Sequence, residues 1–314
     1  MVEADGIYRI LALDGGGMRG YLTARLLQRL EEMRPGWISK VDLFAGTSTG
    51  SIIALALAYS LSTREISTIY ARDAPKIFAV SLTDRLLDGG GLIGPRYRVR
   101  RLGALLRGVF HDLRLVDLDK RVLVPAFRLD GADPTDSHRR WRPQLFHNFP
   151  DAGANEQLTA RQVALYSSAV PAVFASVDGY VDGGVYAANP TLCAIAQTLA
   201  SAQAATGGLG IDRLHVLSVG TGLGSLRIEG DRLDWGLMQW ARPLLGLVLD
   251  AGTAAVDFQA RHLLGSAYHR LNPWIEGEPI MLDDVEAIPR LERIAATASL
   301  DSTVAWLDQQ WMTA

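Results

Sequence analysis

Short apolar runs alternate with stretches of helical periodicity from the start of the chain. Ile7 to Leu13 (IYRILAL) is mostly apolar and stops at Asp14 and three glycines, which predicts a buried strand entering a tight loop. Tyr21 to Glu32 then sets Leu22, Leu26, Leu27 and Leu30 at helical spacing, and Pro35 and Gly36 close the segment. The arrangement repeats in Val41 to Ala45 (VDLFA), the turn Gly46-Thr47-Ser48-Thr49-Gly50, and an apolar helix from Ser51 to Leu61. Two strand–loop–helix units in succession predict an α/β fold, a mostly parallel sheet with helices on both faces.

The middle of the chain is less regular. Asp88 to Pro95 (DGGGLIGP) reads as a loop and Val99 to Phe110 as an amphipathic helix. Arg121 to Leu129, Gln144 to His147, Ser176 to Val181 and Leu214 to Val219 read as strands, and Thr159 to Ser168 has helical spacing. Trp235 to His262 is helical in pattern, and Val285 to Trp311 adds one or two helices. No linker, repeat or low-complexity tract interrupts this order, so one domain spanning residues 1–314 is expected, with the helical part from about 235 packed on the rest.

Composition narrows the function classes. Hydrophobic residues make up 48% and charged residues 21%, as in ordinary globular proteins, and the formal net charge of −3 offers no overall attraction to a nucleic-acid polymer. Cys193 is the only cysteine, which leaves no intrachain disulfide and no cysteine-rich metal site. The acidic N-terminus does not read as a signal peptide, and Ile52 to Leu61 is about half the length that crosses a bilayer. A reducing, cytoplasmic setting fits best.

Chemistry concentrates in three glycine-rich places. Gly46-Thr47-Ser48-Thr49-Gly50 spells GxSxG between a strand and a helix, where a sharp turn holds a nucleophilic serine exposed. The plainer reading is a glycine turn with a helix-capping serine. Asp14-Gly15-Gly16-Gly17-Met18-Arg19-Gly20 can turn successive backbone N–H groups towards an anion, as an oxyanion hole requires, with Gly16 and Gly17 the first candidates. Arg19 either neutralises a substrate phosphate or braces the loop. The same loop spells the dinucleotide fingerprint GxGxxG, but the acidic residue that fingerprint expects about 20 positions on is absent, Asp42 lying farther away. The third place is Asp182-Gly183-Gly184, a carboxylate at a strand end, which standing alone would read as a turn aspartate. A histidine base would have to be His215, His262 or His269, none of which sits in a glycine-bounded loop.

Taken in order, DGGGMRG at 14–20, GTSTG at 46–50 and DGG at 182–184 closely resemble the patatin-like phospholipase family, over about Ile7 to Gly222. Asn189-Pro190 and Gly220-Thr221-Gly222 also fit. The resemblance implies a three-layer α/β/α fold and a serine–aspartate dyad in which Ser48 attacks an ester and Asp182 takes its proton without histidine, calcium or cofactor. It further implies an oxyanion hole from Gly15, Gly16, Gly17, Met18 and Arg19, a nucleophile elbow of Gly46, Thr47, Thr49 and Gly50, and Gly183 and Gly184 as the motif beside the base. The implied substrate is a phospholipid or another acyl ester. Some bacterial members are gated effectors, so an unidentified activator is a sub-hypothesis. The rivals are a non-catalytic lipid-binding module and a histidine-triad esterase. One physical difficulty stands: an aspartate of ordinary pKa is a poor base for a serine hydroxyl.

Two further stretches bear on membrane contact. Arg96, Arg98, Arg100 and Arg101 adjoin Leu102, Leu105, Leu106 and Val109, a solvated helix face in the simpler reading and a peripheral membrane contact in the other. Trp235, Leu237, Trp240, Leu244, Leu245 and Val248 read first as core and second as an interfacial patch or acyl-chain wall.

Overall fold

The computed structural model describes residues 6–78, 95–133, 136–150, 153–204, 208–224, 228, 234–240 and 243–312. Its centre is a seven-stranded sheet built from β1 (Tyr8–Leu13), β2 (Leu43–Gly46), β3 (Arg121–Asp133), β4 (Asp136–His147), β5 (Tyr180–Asp182), β6 (Leu214–Val219) and β8 (Tyr268–Leu271). The strand order is β4-β3-β2-β1-β6-β8, with β5 paired to β3 off that path. Every pairing from β3 to β8 along that path is parallel, while β4 and β5 run antiparallel to β3. A separate two-stranded sheet joins β7 (Leu223–Gly224) to β9 (Trp274–Ile275).

Both faces of the sheet are buried, and the alternation of side chains along each strand feeds two cores. Leu11, Leu13, Phe44, Val122, Val124, Leu217 and Val219 enter the larger core. It is filled by helices α1 (Gly20–Met33), α2 (Thr49–Ala58), α3 (Thr63–Ile77), α4 (Val99–Phe110) and α5 (Ala160–Ser167). Tyr8, Ile10, Leu43, Ala45, Leu123, Leu214 and Val216 enter the other core. There they meet Ala194 and Ile195 of α7 (Thr191–Ala204), which follows the one-turn helix α6 (Gly184–Ala187), and Ala260 of α8 (Leu244–Leu264). Near the C-terminus, α9 (Ile288–Thr297) packs beside α1 and α10 (Asp301–Trp306) against β8 in the larger core. The result is the expected three-layer α/β/α arrangement.

Several elements differ from the sequence expectation. Ser176 to Val181 is not one strand: Asp178 and Gly179 both have positive φ, 50° and 79°, so the chain turns there and β5 starts only at Tyr180. Gln144 to His147 is the end of a longer strand whose earlier residues are largely polar because β4 is the sheet's edge. The helical pattern from Trp235 to His262 divides into Leu237–Trp240 and α8, with Pro243 at the N-cap of the second. The Asp88 to Pro95 loop lies outside the described residues except for Pro95. Among the described residues no helix is long and apolar enough to cross a membrane.

Candidate active site

Ser48 occupies the turn between β2 and α2 with φ 55° and ψ −124°, a strained conformation for any residue bearing a side chain. Neighbouring bonds hold the turn: the N–H groups of Gly50 and Ser51 donate to the carbonyls of Thr47 and Ser48 at 2.8 and 2.9 Å, and Thr47 Oγ1 donates to the Ala187 carbonyl at 2.6 Å. The helix crosses β1 so closely that a Cβ on Gly50 would stand 2.3 Å from the Leu13 carbonyl oxygen, so that position admits only glycine. Thr49, at the first turn of α2, is pinned through hydrogen bonds with Tyr70 of α3. The Ser48 N–H donates to Ser167 Oγ at 2.8 Å, and that hydroxyl donates to the Pro125 carbonyl at 2.6 Å.

Asp182 closes β5 opposite Ala126 of β3, and its N–H donates to the Ala169 carbonyl at 3.0 Å. Its Oδ1 accepts the Gly184 N–H at 2.6 Å, the start of the helix that the two glycines allow to turn in so tightly. Burial with no basic neighbour raises its pKa to about 7, against which the nearby Ser48 hydroxyl and the Gly184 N–H favour the charged form. Oδ2 is buried with no hydrogen-bond partner among the described residues. The ordinary aspartate pKa assumed from sequence is thereby replaced by a raised one.

The glycine loop follows β1 and faces the same cleft. The N–H groups of Gly15, Met18 and Arg19 are engaged, by the carbonyls of Ala188 (2.9 Å), Leu282 (2.8 Å) and Gly16 (3.1 Å). Those of Gly16 and Gly17 have no partner among the described residues. Gly17 has φ 57°, and a Cβ there would lie 2.2 Å from the Leu282 carbonyl oxygen. Gly16, Gly17, Ser48 and Asp182 line one cleft of about 360 Å³, its open mouth included.

The root of the loop is fastened from β8. Arg270 Nη1 donates to Asp14 Oδ1 at 2.9 Å and to Ser218 Oγ at 2.7 Å, while Nη2 bonds Asp14 Oδ2. Thr221 Oγ1 donates to the Gly15 carbonyl at 3.2 Å. The Arg19 guanidinium, by contrast, makes no hydrogen bond or ion pair with any described residue, and its Nε is shielded from solvent. Arg270, Leu282 and Ser167 carried no motif in the sequence, whereas Thr221 lay in the Gly220-Thr221-Gly222 stretch that fitted the resemblance.

Beside the cleft, and sharing Gly17, Ser48 and Val170 with it, lies an apolar cavity of about 630 Å³, its open mouth included, lined by Ile52, Ile69, Ala74, Ile77, Leu102 and Phe174 among others. The rival chemistries do not converge here. His269 Nε2 pairs with Thr303 Oγ1 at 2.9 Å, His262 Nδ1 with the Phe258 carbonyl at 2.8 Å, and His215 Nδ1 with the Gln310 carbonyl; none lines the cleft. Asp42 accepts the Arg9 N–H at 2.8 Å, at the start of β2 and away from the glycine loop. Leu244 and Val248, read first as core, are exposed, because α8 turns them outward.

Residues 11–195 match the model of the patatin-like phospholipases. The chain belongs to that family. This patatin-like phospholipase family member is 32% identical to Protein teg of Priestia megaterium, over 97% of this chain and 99% of the relative. It is 31% identical to the cGAMP-activated phospholipase of Pseudomonas aeruginosa, over 93% of this chain and 85% of the relative. The crystal structure of VipD from Legionella pneumophila aligns with a TM-score of 0.45 and 12% identity, covering 97% of this chain and 67% of that one. Within the patatin-like match fall the glycine loop, Ser48 and Asp182; Arg270 and Leu282 lie beyond it.

Proposed function

We propose that this patatin-like protein is a serine lipid acyl hydrolase that cleaves fatty-acyl esters of phospholipids through Ser48 and Asp182. The observation that carries this reading is the joining of a strained serine, a buried carboxyl of raised pKa and two unengaged N–H groups in one cleft with an apolar cavity beside it. The Ser48 Oγ attacks the ester carbonyl as Asp182 takes its proton. The carbonyl oxygen becomes an oxyanion received by the Gly16 and Gly17 N–H groups, each worth about 3 kcal/mol of barrier. Collapse expels the lipid alcohol, which takes the proton from Asp182. Water, deprotonated by the same carboxylate, then attacks the acyl-enzyme and frees fatty acid and serine. The apolar cavity holds the acyl chain, where each buried methylene contributes about 0.8 kcal/mol.

The test is fatty-acid release from phospholipid vesicles with calcium chelated. Wild type is expected to be active, with Ser48→Ala and Asp182→Asn folded but inactive. Reaction of wild type with a fluorophosphonate, absent in Ser48→Ala, reports an assembled nucleophile independently of turnover. One relative is named as cGAMP-activated; a silent wild type that still labels would point to an activator for this chain too. Neither turnover nor labelling would overturn the hydrolase reading.

A further inference from the structure

Leu282 and Asp283 join the glycine loop to the rim of the apolar cavity, and the chemistry above leaves Asp283 without a part. Leu282 lines both the cleft and the apolar cavity, and its carbonyl accepts the Met18 N–H at 2.8 Å. One residue on, Asp283 Oδ2 accepts from Arg96 Nη1 at 2.6 Å and from the Tyr97 hydroxyl at 2.8 Å, across 187 and 186 residues of chain. The Asp283 side chain is only 12% exposed, so water competes little for these bonds. Helix capping does not account for them. That task falls to Asp284, which accepts the N–H groups of Glu286 and Ala287 at 3.1 and 3.2 Å ahead of α9.

Tyr97 is a firm post for such a clasp. Its N–H donates to the Val173 carbonyl at 2.9 Å, and the Arg96 N–H donates to that of Ala172 at 3.2 Å. Its ring packs with Phe78 and Phe174 at centroid distances of 5.3 and 6.1 Å. Phe78, Val173 and Phe174 all line the apolar cavity. Burial, reinforced by Asp283, raises the Tyr97 phenol to about 12, so its hydroxyl keeps the proton it donates at neutral pH.

The glycine loop is thus held at both ends. At its root Arg270 grips Asp14 and the Gly15 N–H donates to the Ala188 carbonyl; at its far end Met18 is fastened to Leu282. The two unengaged N–H groups, of Gly16 and Gly17, stand between those fixed points. Oxyanion donors act by being held in advance at about 2.7–3.1 Å from the place where charge develops. A shift of the Met18 end would misdirect both.

We infer that Asp283 is a positioning residue for the oxyanion hole: clasped by Arg96 and Tyr97, it keeps the Leu282 carbonyl on the Met18 N–H and so aims the Gly16 and Gly17 donors. This rests on the hydrolase reading, and it assigns a part to a residue beyond the matched family region.

The experiment begins with kcat and KM on a long-chain ester. An oxyanion donor lost outright costs about 10²–10³ in kcat, and donors merely displaced should cost about tenfold. Asp283→Ala is therefore expected to lower kcat about tenfold with KM little changed. Asp283→Asn, which keeps an acceptor for Tyr97, should retain most of the rate. Tyr97→Phe should act in the same direction, and adding it to Asp283→Ala should cost little more, because both cut one connection. A long-chain trifluoromethyl ketone separates aiming from general damage. Ser48 Oγ adds to its carbonyl, Asp182 takes the proton, and the carbonyl oxygen becomes the oxyanion. Its inhibition constant should rise with the fall in kcat, while the matching fatty alcohol, which forms no adduct, should bind to Asp283→Ala as to wild type. Unchanged kcat in Asp283→Ala, or ketone and alcohol weakened equally, would overturn the assignment.

Amide hydrogen exchange over the peptide containing Met18 needs no turnover. It should quicken in Asp283→Ala and stay near wild type in Asp283→Asn; equal exchange in wild type and Asp283→Ala would remove the clasp. A wild type with neither turnover nor fluorophosphonate labelling, but with that exchange response intact, would sink the hydrolase reading and leave the clasp as an anchor of the loop alone.

Discussion

Arg270 grips both carboxylate oxygens of Asp14 across 256 residues of chain, with the two side chains only 5% and 4% exposed. The pair ties β8 to the root of the glycine loop, so a strand beyond the matched family region fixes where the Gly16 and Gly17 N–H groups point. Removing one partner of a buried pair strands the other's charge, at about 3–5 kcal/mol. Arg270→Met is therefore expected to lower stability by that order and to depress turnover. Asp14→Asn combined with it should cost less than the sum of the single changes. Denaturant midpoints of the three variants check this, and a loss below about 1 kcal/mol in Arg270→Met would show that the loop is anchored elsewhere.

Asp182 links activity and stability to pH in opposite senses. As a base it must be ionised, so kcat/KM should rise with pH on a limb whose midpoint is about 7. For stability, its folded pKa of about 7 exceeds the ordinary 3.8, so the folded state holds a proton that the unfolded state has lost between those values. The carboxyl's contribution is thus fully present below about 3.8 and is lost as pH rises through about 7. Asp182→Asn should accordingly outlast wild type at pH 8 by up to about 4 kcal/mol, with little difference near pH 4. Equal gains at both pH values would mean that the carboxyl is not desolvated in the folded protein.

What the sequence made legible was local. β1, β2, α1 and α4 announced themselves through apolar periodicity contained within each segment, and Val99–Phe110 is a helix over the predicted span. The glycine loop, the Ser48 turn and Asp182 were legible because close backbone approach restricts residue choice at adjacent positions. Helix α7 was missed because it is apolar nearly all round, burying one face against the sheet and another against α8, so no period stands out. Helix α3 went unread in the sequence although Ser62 and Glu65 form a capping box at its start. Arg270, Leu282 and Ser167 were illegible for a different reason: each reaches the site by hydrogen bonds from a distant stretch, and nothing beside it in sequence marks that use.

Gly16 tests the loop from the inside. A Cβ there would fall 2.2 Å from Thr221 Oγ1, while Thr221 itself holds the Gly15 carbonyl. Gly16→Ala must therefore push either Thr221 or the loop, and a displaced N–H donor costs about 10²–10³ in kcat. Adding Thr221→Ala should restore part of that loss by making room, though not all, since the bond to Gly15 goes with it. Steady-state rates with melting temperatures decide the case: a Gly16→Ala protein that melts normally and turns over at the wild-type rate would remove this N–H from the oxyanion role.

Ala74 tests the acyl cavity at a point away from the reacting atoms. It is 5% exposed on α3 and lines the apolar cavity with Ile77 of the same helix. Ala74→Phe would occupy space otherwise open to the acyl chain. Each methylene denied burial costs about 0.8 kcal/mol, so excluding two should cost about 1.6 kcal/mol, somewhat more than tenfold in rate. The expected result is a drop of at least about tenfold in the ratio of kcat/KM for long-chain over short-chain esters. The ratio is the informative quantity, because overpacking that merely loosens the fold lowers both rates together. An unchanged ratio in a protein that still melts cooperatively would place the acyl chain somewhere other than this cavity.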